Sequence, residues 1–426
     1  MEDDKLINRI IIGIVVFLGL ILSILLFRIY SDVQKKNAYA HLNQEKEIIT
    51  IWTLHGDMQT MLEEVTKKYE NENIGFEITS FKNDVYQSNI QNAAITNELP
   101  DIFFTWGYGN LEKYVELDLV ADVTESLKET KFEELCLPHA LDGMTFNDEI
   151  YALPIYGWNV SLFCNKELFK KYGVQYPTTY DKFIEAIKIF KANGVTPLAG
   201  GMKEQWLNSL YYMAFVLGEG DVDSIYKAAA DPSKFDTPQF RRAAQKMVEI
   251  AKLEPWQSTY LDSDAYDASH IFTQGEAAML VYGSWASSSI DDDESKIKKE
   301  VKVMPFPNDK PGYNIGGYSD LMVISKNSKV AQDKELKALY LNMMYDISQL
   351  AIRKYGVGLP AYKDQIIDEV QFKTLYGCFR IQADKGQHPA YDQILDKDKS
   401  AQYYEALAEL IKGEIDENTF ISRLSD

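Results

Sequence analysis

The sequence has few cysteines and a shortage of cationic side chains. Its 426 residues include three cysteines, Cys136, Cys164 and Cys378, an odd number without paired spacing. This count excludes a CxxC metal site and a disulfide framework, and Cys164, in the apolar run SLFC, is predicted to be a small buried hydrophobe. Lysine and arginine total 44 against 64 aspartates and glutamates, giving a net charge of −20. A chain this acidic is a poor partner for phosphate backbones, so no nucleic-acid role is predicted.

Recognisable catalytic motifs are also missing. The sequence contains no GxxxxGK[ST], no GxGxxG and no GxSxG, and its five histidines form no HxxxH pair. The stretch DSDAYD (262–267) lacks the glycine and the final acid of a calcium loop. We therefore predict no catalytic residue, no metal site and no cofactor. A glycosidase remains an alternative, because so many acids guarantee some carboxylate pairs.

One long apolar run lies near the N-terminus. It extends over the eighteen residues from Ile10 to Phe27, which at about 1.5 Å per residue approach the roughly 30 Å of a bilayer core. Arg28 follows at once, and the first small-x-small triplet is Ala38-Tyr39-Ala40, too far downstream for a signal-peptide cleavage site. No cysteine precedes position 136 that could carry a lipid. The run predicts a cytoplasmic N-terminus (1–9), a transmembrane signal anchor (10–30) and a tether (31–47), with flanking charges that leave the orientation open.

Strand and helix patterns alternate after the tether. IITIW (48–52) has the pattern of a short buried strand, and the next segment places Met58, Met61, Leu62, Val65 and Tyr69 on one helical face. A second strand is predicted at 76–78, then a helix, then the strand IFF (102–104). This order is typical of a parallel α/β sheet covered on both faces.

The pattern changes near residue 150 and then resumes. YALPIYGWNVSLFCN (151–165) is extended and is broken by Pro154 and Gly157, whereas DKFIEAIKIFKANG (181–194) predicts an amphipathic helix that ends at Gly194. A buried strand is predicted at AAMLVY (277–282), where Gly283-Ser284-Trp285 ends it. A second strand-helix region begins at 301, and the last eighty residues read as helical.

Five segments in order carry a family resemblance. They are ELPDIFFTWGYGNLEKYVELDLVADVTE (98–125), EIYALPIYGWNVSLFCNKELFKKYGVQYPTTYDKF (149–183), FTQGEAAMLVYGSW (272–285), PFP…GYNIGGYSDLMVISKNSK (305–329) and YGVGLPAY (355–362). Over roughly 48–426 the chain resembles the extracellular family 1 solute-binding proteins of ABC importers, which include maltose- and multiple-sugar-binding proteins. It departs from that family at Cys164 and Tyr180, where an aromatic residue and a tryptophan are usual, and in having an apolar span instead of a lipidated cysteine.

The resemblance implies a fold class. We expect an α/β protein with the two-lobe periplasmic-binding-protein type II fold and hinge crossings, preceded by one transmembrane helix. Lobe 1 would comprise 48–156 and 318–345, and lobe 2 would comprise 157–317 and 346–426. The first crossing would then fall where Pro154 and Gly157 break the pattern. The resemblance also implies a monomer that is not an enzyme.

The tryptophan of GSW is the first candidate site residue. In open α/β sheets ligands bind outside the carboxyl ends of the strands, which is where Trp285 stands. A flat ring covers the apolar face of a pyranose, while carboxylates and amides bond its hydroxyls. Trp52 is assigned only weakly and Trp256 is assigned to structure. The predicted ligand-binding residues are Trp285, Trp106, Trp158, Trp206, Asp57, Asp84, Tyr318, Gly317, Glu204 and Asp320.

The predicted function follows from that site and that family. We expect a membrane-tethered extracellular carbohydrate-binding protein that delivers an oligosaccharide to the permease subunits of an ABC transporter by closure of its lobes. Its location would be the cell membrane, with a single-pass anchor and the binding domain outside. A sugar sensor for a histidine kinase is the alternative with the same fold, and a glycosidase is the alternative from another class.

Overall fold

The structure, a computed structural model, describes residues 13, 18–19, 21–32, 34, 46–220, 222–298, 300–309, 314–381, 387–395 and 397–425. The predicted cytoplasmic segment 1–9 and most of the predicted tether 31–47 lie outside the described residues. Within the predicted anchor 10–30, those residues that are described are helical. Among all described residues, no helix has both the length and the apolar character needed to cross a membrane.

The protein divides into a small unit, residues 1–49 and 70–76, and a large unit, residues 50–69 and 77–426. In the small unit, the Lys46 ammonium lies 2.5 Å from the Glu70 carboxylate, and the Glu47 amide donates to the Asn73 carbonyl at 2.8 Å. From residue 50 onward, all described residues except 70–76 lie in the large unit.

The described strands form two larger sheets and one two-stranded ribbon. Their bounds are β1 (Glu47–Leu54), β2 (Ile74–Phe81), β3 (Ile102–Trp106), β4 (Thr145–Phe146), β5 (Glu149–Ile150), β6 (Trp158–Asn165), β7 (Thr196–Leu198), β8 (Ala277–Gly283), β9 (Val301–Met304), β10 (Asn314–Gly317), β11 (Asp320–Ile324) and β12 (Gln387–His388).

The first sheet has the order β11-β3-β1-β2. β1 is parallel to β3, with Ile51 opposite Ile102, and β11 is antiparallel to β3, with Asp320 opposite Trp106. In β1 every second residue, Ile49, Ile51 and Thr53, is fully buried, as the period of two in a strand requires. The predicted strands at 48–52, 76–78 and 102–104 are confirmed as β1, β2 and β3.

The second sheet has the order β12-β10-β6-β8-β7, and β9 also pairs with β6. All eight residues of β6 and all seven of β8 are buried. A strand buried along its whole length must be covered on both faces, which explains why both strands are continuous apolar runs in the sequence. The strand predicted at 277–282 is confirmed as β8.

Two helices show how the sequence pattern produces the fold. Four residues of the predicted face, Met58, Met61, Leu62 and Val65, are buried, and the fifth, Tyr69, is half-buried. The helix predicted over 181–194 begins after Thr179, whose side chain accepts from the Lys182 amide, and ends at Asn193. The described helices are α1 (Asp57–Tyr69), α2 (Asn83–Thr96), α3 (Gly109–Glu116), α4 (Thr124–Thr130), α5 (Phe132–Leu135), α6 (Lys166–Tyr172), α7 (Tyr180–Ala192), α8 (Trp206–Glu219), α9 (Asp223–Ala230), α10 (Pro238–Lys252), α11 (Ala265–Thr273), α12 (Ala286–Asp291), α13 (Lys329–Gln332), α14 (Lys334–Leu350), α15 (Lys373–Arg380), α16 (Tyr391–Ile394), α17 (Lys397–Lys412) and α18 (Glu417–Ser425), together with short 3₁₀ turns at Asp142–Met144 and Pro232–Lys234 and a π-helical turn at Ala351–Tyr355.

Helix α8 is the centre of the helical part of the second lobe. Every residue from Leu207 to Gly218 is buried, and a helix that is apolar all round belongs in a core rather than at a surface. Its first residue, Trp206, contacts the ring of Tyr282 near the end of β8, with the ring centroids 5.9 Å apart.

The chain passes between the two sheets near residues 151–157, at 318–319 and after α14. Isolated bridges hold these crossings together: Pro154 pairs with Leu321, and Gly157 pairs with Leu359. Gly317 has a φ of 148°, which a residue with a side chain rarely adopts. The exact lobe boundaries given above remain predictions.

Candidate functional site

The Gly-Ser-Trp turn at the end of β8 requires a glycine at position 283. A Cβ at Gly283 would lie 2.1 Å from the ring of Trp285, so the indole folds back over the end of its own strand only because residue 283 is glycine. Ser284 is fully buried; its amide donates to the Asn159 carbonyl at 2.8 Å and its hydroxyl accepts from the Asn159 amide at 3.3 Å. The turn is therefore fixed to β6, and Trp285 leads directly into α12.

Four aromatic side chains, Trp158, Trp206, Tyr282 and Trp285, form what we call the tryptophan cluster. The ring centroid of Trp285 lies 5.3 Å from Trp158, 5.9 Å from Trp206 and 5.5 Å from Tyr282. These separations are typical of favourable edge-to-face aromatic packing. The GSW turn thus places Trp285 at the centre of a group drawn from three separate elements.

The members of the tryptophan cluster differ in how much surface they keep. Trp158 is 4% exposed and its indole N–H donates to the Ser319 hydroxyl at 2.8 Å. Tyr282 is also buried, and its hydroxyl donates to the Ala265 carbonyl at 3.1 Å. Trp285 and Trp206 are only half-buried. The two buried rings therefore support the two rings that retain an open face.

Asp57 is the first residue of α1, the helix that follows β1 of the first sheet. Its side chain reaches the Gly-Ser-Trp turn. Its carboxylate accepts from the Ser288 hydroxyl at 3.4 Å, and Ser288 also bonds to the Trp285 carbonyl at 3.2 Å. Asp57 is exposed by surface area, yet desolvation raises the pKa of its carboxyl, an effect that Ser288 partly offsets. Both observations are satisfied if Asp57 lies in a recess that is walled by protein and open to solvent.

Asp320 lies at the start of β11, opposite Trp106. Burial raises the pKa of its carboxyl to about 7, and the nearby Tyr156 side chain works against that rise. Tyr156 is also near enough to Asp57 for that charge to raise the tyrosine pKa further, after burial and Asp320. Trp106 is half-buried, with its ring edge-on to Phe104 at 5.1 Å. Tyr156 is therefore near enough to both predicted carboxylates to feel their charges.

Glu204 lies in the loop before α8 and accepts from the Ala265 amide at 3.1 Å. Burial raises the pKa of its carboxyl, and the hydrogen bond from the Ala265 amide lowers it; the charges of Asp264 and Asp84 add to the rise. Asp84, on α2, is exposed.

Gly317 and Tyr318 lie at the crossing beside the tryptophan cluster. Gly317 pairs with Trp158 across β10 and β6. A Cβ at Gly157 would lie 2.8 Å from the Tyr318 ring. The ring fits beside the first crossing because residue 157 has no side chain. Tyr318 is half-buried.

The structure therefore connects most of the predicted site residues, and their binding roles stay predictions. Trp285, Trp206 and Trp158 touch one another; Asp57 joins them through Ser288. Trp106 contacts Phe104 and stands opposite Asp320, without a described ring contact to the tryptophan cluster. Of the weakly assigned tryptophans, Trp52 lies edge-on to Phe81 at 5.3 Å and Trp256 is buried and stacked on Tyr260 at 5.2 Å.

Sequence reasoning missed Tyr156, Tyr282 and Ser288. Tyr282 could have been predicted because it directly precedes the GSW turn, and Tyr156 because it stands next to Gly157 of the first crossing. Ser288 could not have been predicted, because its hydrogen bond is to an aspartate 231 residues away.

Among the described residues, no group of histidine, cysteine or acidic side chains is arranged to hold a metal ion. The acidic stretch 262–267 instead caps α11, where Asp264 and Asp267 form a reciprocal capping box. Cys164 is fully buried, as predicted.

Comparison with known proteins agrees with this architecture. The family model of the bacterial extracellular solute-binding proteins matches residues 52–342. A multiple sugar-binding protein of Streptococcus mutans is 22% identical over 328 residues, which cover 75% of this chain and 76% of that protein. An uncharacterised ABC transporter extracellular-binding protein of Pyrococcus horikoshii is 25% identical over 280 residues. That alignment covers 62% of this chain and only 61% of the relative.

A solved structure gives the same fold. It comes from work on xylan utilisation by the thermophilic bacterium Caldanaerobius polysaccharolyticus, and it superposes with a TM-score of 0.83 at 30% identity, covering 89% of this chain and 99% of that one. The predicted α/β two-lobe fold is thereby confirmed, and so is the prediction of a binding protein rather than an enzyme. The chain belongs to the bacterial extracellular solute-binding proteins.

Proposed function

We propose that this protein binds a carbohydrate, specifically an oligosaccharide, outside the cell and delivers it to an ABC importer while tethered to the membrane. The observation that carries the proposal is the pair of half-buried indoles, Trp285 and Trp206, with carboxylates reaching the same place from both lobes.

The chemistry of the tryptophan cluster suits a sugar. A pyranose has an apolar C–H face that stacks on an indole with little entropy cost, and a rim of hydroxyls that donate to carboxylates. Trp285 offers the first kind of surface, while Asp57 and Glu204 offer the second. The relatives support the choice, since one is a multiple sugar-binding protein and another was studied in connection with xylan utilisation.

Closure of the lobes is the proposed output. Asp57 of the first lobe and Ser288 of the second are hydrogen-bonded directly, so the two sides of the site approach each other closely. A ligand that bonds to both sides would stabilise this closed arrangement relative to an open one, and a permease that recognises the closed state would then read occupancy.

A ligand screen tests the carbohydrate proposal. The purified full chain, kept in a detergent without a sugar headgroup, is titrated calorimetrically with neutral oligosaccharides, and with amino acids and short peptides as controls. We expect binding of at least one neutral oligosaccharide and, because a ligand bound only to the folded state stabilises it, a rise in melting temperature with ligand concentration. Binding of the amino acids or peptides alone would contradict the proposal.

Membrane tethering is supported by the apolar run 10–27 and needs its own test. Expressed in a bacterium, the full chain should remain in the membrane fraction after carbonate extraction, whereas a chain that begins at residue 48 should appear in the soluble fraction and bind the same sugar with unchanged affinity. Release of the full chain by carbonate would contradict the tether, and loss of sugar binding by the shorter chain would contradict the separation of anchor from binding domain.

A further inference from the structure

A cavity of about 320 Å³ lies at one end of the first sheet. β3 begins beside this cavity, at Ile102, and ends at Trp106, while β11 runs antiparallel to it, with Ile324 opposite Ile102. The five residues of β3 rise about 16 Å. The cavity is therefore at the far end of this strand pair from Trp106 and Asp320, and its volume is within the range of small-molecule sites.

The walls of the cavity come from separate segments that are bonded to one another. The Ser325 amide donates to the Asp101 carbonyl at 2.9 Å, and the Lys326 amide donates to the Leu119 carbonyl at 2.9 Å. These bonds join the end of β11 to the start of β3 and to the chain after α3, so the cavity is part of the folded sheet rather than a gap under one loop. The lining residues used below are Asn97, Leu99, Asp101, Leu119, Lys326 and Lys329.

The carboxylate of Asp101 is fixed at the wall of the cavity. Its side chain is only 11% exposed, and its Oδ2 atom accepts from the Thr50 amide at 2.9 Å and from the Thr50 hydroxyl at 3.0 Å. The Asp101 amide donates back to that hydroxyl at 2.9 Å. Within the described residues, the Oδ1 atom makes no hydrogen bond and is not sealed from solvent. A carboxylate held in this way can accept a charge-assisted hydrogen bond from a ligand.

Two ammonium groups belong to the same cavity. Lys329 Nζ lies 4.0 Å from Asp101 Oδ2, which is longer than a hydrogen bond. Lys326 Nζ lies 2.9 Å from an oxygen of Asp118, whose side chain is 78% exposed. Because a surface ion pair of this kind contributes little free energy, Lys326 can turn to a ligand at small cost.

The charges of the cavity indicate one class of ligand. A simple anion would attract Lys326 and Lys329 but would also face Asp101, and a simple cation would meet the reverse problem. A neutral ligand would displace water from charged groups without replacing its hydrogen bonds, which costs free energy. An α-amino acid carries an ammonium and a carboxylate on one carbon and satisfies both signs. Leu99 and Leu119 offer apolar surface to its side chain.

We propose that this cavity binds a free α-amino acid, whose ammonium bonds to Asp101 and whose carboxylate bonds to Lys329 and Lys326. The Asn97 carboxamide, which makes no hydrogen bond within the described part of the chain, is available to the same ligand. The site is distinct from the tryptophan cluster and does not rest on the carbohydrate function.

The test separates the two charges of the ligand. The purified full chain, in a detergent without a sugar headgroup, is titrated calorimetrically with each standard α-amino acid. The one that binds most tightly is then compared with its amide, which lacks the carboxylate, and with its N-acetyl derivative, which lacks the ammonium. We expect the wild type to bind the amino acid at least about 10-fold more tightly than either derivative, the value of one hydrogen bond to a charged group.

Two substitutions then assign each charge to its partner. Lys329→Met should weaken binding of the amino acid by about 10-fold and leave binding of the amide unchanged. Asp101→Asn, which keeps an oxygen for Thr50, should weaken binding of the amino acid by a similar factor and leave binding of the N-acetyl derivative unchanged. The control is Lys334→Met, which removes an exposed lysine on α14 that pairs with Glu129 and should change none of these affinities.

The contrary outcomes are distinct from those of the sugar screen. A wild-type protein that binds no amino acid, or binds the derivatives equally well, overturns the proposal. So does displacement of the amino acid by a saturating oligosaccharide, or unchanged binding in both variants. If amino acid and oligosaccharide bind together, both proposals stand, and the carbohydrate function fails only if no oligosaccharide binds.

Discussion

Two groups of four aromatic side chains, both within the predicted second lobe, differ in how much of their surface is exposed. The tryptophan cluster lies at the end of β8, and a second group, which we call the helical core cluster, is formed by Tyr212, Phe235, Tyr403 and Phe420. All four of its members are fully buried, with ring centroids of Tyr212 and Phe420 at 5.2 Å. The tryptophan cluster instead leaves two of its rings half-exposed.

The polar atoms within and beside the two groups also differ in how they are hydrogen-bonded. In the helical core cluster, the Tyr212 hydroxyl donates to the Phe240 carbonyl at 3.2 Å, and the Tyr403 hydroxyl lies 2.9 Å from the Ser209 hydroxyl. Beside the tryptophan cluster, burial raises the pKa values of the Asp57 and Glu204 carboxyls. Neither carboxylate forms an ion pair with a cation in the described part of the chain. The two groups thus differ in the exposed fraction of their rings and in the carboxylates beside them.

The largest effect should come from the helical core cluster. Tyr212→Ala removes a fully buried ring and should lower the free energy of unfolding by about 3–5 kcal/mol, measured by urea denaturation. Tyr212→Phe, which removes only the bond to Phe240, should cost about 0.5–1.5 kcal/mol. Weakened sugar binding by the folded Tyr212→Ala protein, with little loss of stability, would erase the distinction between the two groups.

Trp285→Ala should act on binding instead of on folding. Losing one buried stacking surface should weaken sugar binding by about 1.5–3 kcal/mol, or roughly 10- to 150-fold, measured by calorimetry. Because Trp285 is half-buried, its loss should destabilise the unliganded protein less than the loss of a core ring.

Trp256→Ala is the matched control for that prediction. Trp256 is buried beside Tyr260 and Tyr211, so its truncation should lower the melting temperature while the folded fraction binds sugar normally. If Trp285→Ala shows that pattern, Trp285 is structural and the site assignment is wrong.

The third prediction uses the buried carboxyl of Asp320. Its pKa is raised from 3.8 to about 7 in the folded protein, so the folded state binds a proton that the unfolded state has already lost. Stability should therefore fall as the pH rises from about 4 to about 7. One pKa unit corresponds to about 1.4 kcal/mol, and because Asp320 is only half-buried by area we expect a net loss of about 1–2 kcal/mol.

Asp320→Asn should remove that part of the pH dependence, measured as the difference between its unfolding free energy and that of the wild type at each pH. Burial also raises the pKa values of Asp57, Glu204 and Asp392, so the wild type alone does not isolate Asp320. Asp148→Asn, in an exposed loop, is the control. Parallel curves for wild type and Asp320→Asn would contradict the assignment.

The smallest effect should be that of salt on sugar binding. Stacking and hydrogen bonds to a neutral ligand act at short range and are not screened, so raising the ionic strength from about 0.05 M to about 0.5 M should change the affinity less than about twofold. A steep fall over that range would mean that the carboxylates near Trp285 serve a charged ligand.

Much of the local structure followed from the sequence. The buried face of α1, the strands β1, β3 and β8, and the stop at Gly283 were all predicted from period, length and punctuation, because a strand or helix must place apolar side chains at its own repeat. The order of these elements, with five motifs, was sufficient for the two-lobe fold.

Candidate site residues were predictable only where the signal is local. Trp285 became a candidate because its glycine, its serine and its strand are adjacent in the chain. Trp158 was predicted from its place at the first crossing, yet the structure leaves it 4% exposed, with its N–H bonded to a serine 161 residues away. Sequence pattern did not indicate which face of the ring would be covered.

The sequence by itself determined the strands, the helices, the acidic composition and the position of a tryptophan at the end of a buried strand, because each of these depends on neighbouring residues. Only the tertiary structure decided that Ser288 meets Asp57 and that the Trp158 indole bonds to Ser319. Those contacts join residues that are remote in the chain, and they exist because two sheets and three crossings bring their ends together. Exposure and raised carboxyl pKa values are properties of that assembly rather than of any segment within it.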